Sequence, residues 1–86
     1  MICAMDVDRT NRERRRAAYE HASKVHERAA KTESDAADLF ESLGETEKAA
    51  RHRALSEQQT KSAEEDAARA AEYAEDSEAG ESSREK

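Results

Sequence analysis

Small and apolar side chains recur through the first half of the chain at alternating steps of four and three: Ala18, Ala22, Val25, Ala29, Thr32, Ala36, Leu39 and Leu43. This is the heptad spacing of a helix that turns one face to a partner. Thr10-Asn11-Arg12-Glu13 fits a capping box, in which the Thr and Glu side chains satisfy free backbone donors reciprocally. The pattern predicts a helix over 10–43. Gly44 follows where a helix end favours positive φ, and Glu45, Thr46 and Glu47 suit the start of a second helix. That helix is predicted over 46–79, ended by Gly80, with a weaker and partly polar seam: His52, Leu55 or Ser56, Gln59, Ala63, Ala67, Ala70 and Ala74. The fold expected is all-α, an antiparallel, coiled-coil-like two-helix hairpin turning at 44–45, with a flexible segment 1–9 and a disordered tail 80–86.

Charge placement agrees with helices. Glu20/Lys24, Glu27/Lys31, Glu47/Arg51, Glu57/Lys61 and Glu65/Arg69 all set a Glu four residues before a cation, the favourable order. A turn at Gly44 then brings Leu39, Phe40, Leu43 and Leu55 together at the closed end, and Tyr19 near Tyr73 at the open end. It also lays the basic stretch DRTNRERRR against the acidic EYAEDSE.

Composition changes this picture in one respect. Charged residues are 42% of the chain and aromatics 3%, so little bulk is available to offset chain entropy. A core this thin points to self-association or a helical protein partner. The expected seam is Ala18, Ala22, Val25, Ala29, Ala36, Leu39, Phe40, Leu43, Leu55, Ala63, Ala67, Ala70 and Ala74, closing as a homo-oligomeric four-helix bundle or on another helix. The net charge of -6 argues against general affinity for nucleic acid or anionic lipid. Cys3 stands alone, which suits a reducing cytoplasm. MICAM is too short for a signal or membrane segment, and Met5 is an alternative start.

Candidate chemistry is sparse. His-Glu-Arg-Ala-Ala at 26–30 departs from the zinc motif HExxH, because Ala30 stands at the second His position. His21, His26 and His52 have no carboxylate or imidazole three or four residues away on their own helix. Arg9 and NRERRR at 11–16 resemble a basic region, but alanine heptads make a poor zipper and base-reading spacings are absent. Pairing with Glu72, Glu75, Asp76 and Glu78 accounts for these arginines instead. No Ser or Thr lies beside a His in triad fashion, and no glycine-rich phosphate loop occurs. No catalytic, metal or cofactor-binding residue is expected, and no enzyme activity.

Residues 21–59, HASKVHERAAKTESDAADLFESLGETEKAARHRALSEQQ, resemble small Ala/Glu/His-rich proteins of high-GC actinobacteria that carry HERAA units, an LFExLG turn and an AARHRAL helix. The resemblance implies a bacterial cytosolic hairpin and supplies no site. LFESLGETEKAA is also similar to a tetratricopeptide turn, present once where a solenoid needs about three. Secreted Trp-x-Gly hairpin proteins share the size, but Leu43-Gly44 lacks the Trp and Tyr73 has Ser77 where an acid belongs. Two functions follow as expectations: an interaction or structural module, or a stress-protective, partly disordered hydrophilin.

Overall fold

In the computed structural model the chain is two antiparallel α-helices, α1 (Ala4–Ser42) and α2 (Thr46–Glu85), joined by a tight turn. The backbone is described over residues 4–85 and side chains over residues 8–74. The hairpin is the expected all-α fold, with longer helices. α1 begins at Ala4 rather than Thr10, since Asp6 and Asp8 suit the positive end of a helix and no Pro or Gly intervenes. α2 runs through Gly80 to Glu85, so the tail expected to be disordered is helical over its described part. One glycine in a helix costs about 1 kcal/mol and does not end it unaided. Residues 1–3 and Lys86 lie outside the described residues.

The turn has a definite chemistry. Gly44 sits at φ 77°. Its N–H donates to the Glu41 carbonyl at 3.0 Å, and the Glu45 N–H reaches back to the Phe40 carbonyl at 2.8 Å. These are the two bonds of a Schellman cap, which satisfy carbonyls the helix end would leave open. Glu45 then caps α2, its carbonyl accepting from the Ala49 N–H at 3.1 Å, and Glu47 lies in the first turn.

On α1 the core differs in register from the expected one, whereas on α2 His52, Ser56, Gln59, Ala63 and Ala70 of the expected seam face α1. The residues α1 turns to α2 are Tyr19, Ser23, His26, Ala30, Glu33, Ala37 and Phe40, one position on from the apolar heptad. Facing them are Ala49, His52, Ser56, Gln59, Ala63, Asp66, Ala70 and Tyr73. The buried side chains are all small: Ser23, Ala30, Ala37, Ala49, Ala63 and Ala70. Of the expected seam, Ala63 and Ala70 are buried, and Ala22, Ala29, Ala36, Phe40 and Ala74 are half-buried. Ala18, Val25, Leu39, Leu43, Leu55 and Ala67 are exposed.

The leucines expected to cluster at the closed end are therefore not buried there: Leu39 is 57% exposed, Leu43 64% and Leu55 43%. Small residues win the interface because they let two backbones approach closely, and a leucine in those layers would hold the helices apart. Close approach is what allows the Ser23 hydroxyl to donate to the Ala63 carbonyl at 2.9 Å, and Ser56 to donate to the Ala30 carbonyl at 2.8 Å.

Ion pairs also depart from the expected order. Glu20 meets Arg16 at 3.8 Å, and Lys31 turns forward to Asp35 at 3.4 Å. Both pairs are well exposed, and such pairs contribute little. The molecule measures 63 × 30 × 12 Å, with a radius of gyration of 19.2 Å. A compact chain of this length would have about 12 Å. One layer of two helices leaves both of its flanks open.

Candidate interaction surface

Two kinds of layer alternate along the seam. Small layers pair Ser23 with Ala63, Ala30 with Ser56, and Ala37 with Ala49. Between them lie large, mostly polar layers. His26 Nδ1 donates to Gln59 Oε1 at 2.5 Å, and its Nε2 lies 3.5 Å from Asp66 Oδ2. His52 Nδ1 donates to Glu33 Oε2 at 2.5 Å while its ring stacks on Phe40, centroids 5.1 Å apart. Tyr19 and Tyr73 stack at 5.9 Å near the open end, where the hairpin register was expected to bring them.

His26 and His52 are thus half-buried and each faces a carboxylate of the opposite helix, His52 from its expected place in the α2 seam. Reasoning within one helix misses these pairs, because each partner comes from the other. The available signal was a repeat of residue kinds. Ser23, His26, Ala30, Glu33, Ala37 and Phe40 in α1 recur in order as Ser56, Gln59, Ala63, Asp66, Ala70 and Tyr73 in α2. No group of three or more His, Cys, Asp and Glu among the described residues could hold a metal. His21 is exposed.

The two flanks differ in chemistry. On one, Arg53 crosses from α2 to Glu41 and to Asp38, the latter at 3.5 Å. Further along this flank, Glu20, Lys24 and Glu27 share a shallow groove with Ala67, Ala71 and Ala74. On the other, Lys48 sits over the Phe40 ring at 5.6 Å and Arg69 over Tyr19 at 5.8 Å. Helical periodicity puts Ala22, Val25, Ala29, Thr32, Ala36, Leu39 and Leu43 of α1 on this second flank, with Leu55 of α2 beside them. It is the same heptad stripe read from the sequence, turned outward. Thr32 does not interrupt it chemically, since its hydroxyl donates to the Arg28 carbonyl at 3.0 Å.

The basic stretch is described only in part at its acidic partner. Arg9, Arg12, Glu13 and Arg16 line a small hollow with Tyr73, and the side chains of Glu75, Asp76 and Glu78 lie outside the described residues. No described helix is long and apolar enough to cross a membrane. The chain matches no family model, no curated protein and no solved structure.

Proposed function

We propose that this chain is a non-enzymatic helical interaction module, and that its contact surface is the apolar flank of α1 with Leu55. One observation carries the reading: among the described side chains every leucine and valine is exposed, at 43% or more, and all of them lie on that flank. Apart from Phe40 and the Tyr19–Tyr73 pair, the intramolecular seam uses small and polar residues, so Val25 and the leucines lie outside it. An apolar patch rimmed by Lys48, Arg51 and Arg28 is the chemistry of a protein contact. A bacterial, cytoplasmic setting fits the lone Cys3 and the resemblance of residues 21–59.

The test pairs sedimentation with amide exchange on the whole chain and on a Val25→Glu/Leu39→Glu variant. A folded hairpin is expected in both proteins, with protected amides along Ser23–Ala37 and Ala49–Ala70. Association of the wild type that vanishes in the variant supports the flank as the contact. Unprotected amides throughout the wild type would overturn the module in favour of a protective, disordered hydrophilin.

A further inference from the structure

We infer that the occupant of this flank is a second copy of the chain, docked α1 on α1 with the two turns at opposite ends. The inference rests on the interaction-module reading and specifies its partner.

The stripe is close to a palindrome about Thr32. When two α1 helices run antiparallel with Thr32 against Thr32, Ala29 of one copy meets Ala36 of the other. Val25 meets Leu39, and Ala22 meets Leu43. Small residues at the centre permit close approach, and each end sets a larger side chain against a smaller or equal one.

Charges beside the stripe match in the same register. Arg28 of one copy falls within a turn of Asp35 of the other, and the two-fold axis forms this pair twice. Asp35 now holds only the exposed Lys31, a contact that is cheap to give up. On α2, the contacts Ser56 to Ala30 and His52 to Glu33 set the level of Thr32 at Arg53–Ala54.

The alternative two-fold arrangement, with both turns at the same end, lays α1 on the partner's α2. Leu39 would then face Lys48, and Val25 would face the level of Ser62. Apolar side chains would be buried against charged or polar ones, which disfavours it. The footprint is also adequate. Ala18 to Leu43 spans about 37 Å of helix and two helices are roughly 20 Å wide, giving ~700 Å² per copy. Interfaces of standard size bury about 600–1,000 Å² per partner.

The experiment uses the full chain with Cys3→Ser and one new cysteine, Thr32→Cys. Mild oxidation is expected to link two chains, because the two-fold axis brings position 32 of one copy to position 32 of the other. Thr60→Cys, on the opposite flank of α2, is expected to stay unlinked. Arg28→Glu alone, or Asp35→Arg alone, should raise the dimer dissociation constant about tenfold, and the double variant should restore it. Three outcomes overturn the inference: a folded chain that sediments as a monomer at high concentration, a dimer that does not link through position 32, or a double variant as weak as its parents. The first leaves the flank open to an unlike partner, and only loss of the fold itself removes the module reading.

Discussion

Phe40 and His52 stack at the closed end of the hairpin, 13° from parallel, and the same imidazole donates to Glu33. One side chain of α2 thereby joins two layers of α1. An aromatic pair contributes about 0.5–1.5 kcal/mol beyond its burial, and a hydrogen bond to a charged group about 1.5–3 kcal/mol when buried. Both partners here are half-buried, which lowers the second figure.

His52→Ala should therefore cost about 2 kcal/mol and lower the melting temperature by roughly 8–16 °C in a domain of this size. His21→Ala, at an exposed position on α1, should leave the melt unchanged. Thermal unfolding followed by circular dichroism checks both. Equal effects would mean that the stack contributes nothing.

Ala49 and Ala50 are neighbours with opposite surroundings, the first 2% exposed and the second fully on the surface side of α2. Ala49→Leu must push the helices apart and should destabilise by about 1–3 kcal/mol. Ala50→Leu should change stability by less than about 0.5 kcal/mol. Urea unfolding of the two variants is a direct check on the register of the seam. It would fail if the two substitutions behaved alike.

That register is where sequence reading and structure part. Helices, the turn at Gly44 and the meeting of Tyr19 with Tyr73 were all legible, since each rests on local chemistry or on simple hairpin geometry. The inner face of α2 was legible in part, since His52, Ser56, Gln59, Ala63 and Ala70 of the expected seam face α1; that of α1 was not, because weighting positions by hydrophobicity selects Val25, Leu39 and Leu43, the residues left outside. At the small layers of this seam the helices approach too closely to enclose leucines. Its stability favours closeness, supplied by alanine and serine, and polar pairs that reach across. The heptad stripe of α1 was thus legible as one face of the helix, and the structure turns that face outward and not onto α2.

Ser23 and Ser56 each donate across the seam to a backbone carbonyl, and those carbonyls lie within helices that already use them. Ser23→Ala or Ser56→Ala should then cost only about 0.5–1.5 kcal/mol each, because no buried group is orphaned. The two sites share no partner, so the double variant should lose the sum of both within about 0.5 kcal/mol. Chemical denaturation of the four proteins tests this, and a double variant far less stable than the sum would show that the serines set the helix separation together.

Gly44 isolates backbone conformation from packing. A Cβ built there would meet no atom within 4 Å, so substitution brings no clash. The whole cost of Gly44→Ala arises from φ 77°, a region that disfavours side chains by about 1–2 kcal/mol. Asn tolerates that region better, and Gly44→Asn should recover part of the loss. Because the Schellman bonds from Gly44 and Glu45 remain available to either residue, the hairpin should still form, with its melting temperature falling in the order Gly, Asn, Ala. Gly44→Pro is different: it removes the N–H that donates to Glu41 and forbids positive φ, so the cap cannot close. That variant should lose protection of the amides flanking the turn first, as read by hydrogen exchange, while a hairpin as stable as the wild type would show that the seam alone sets the fold.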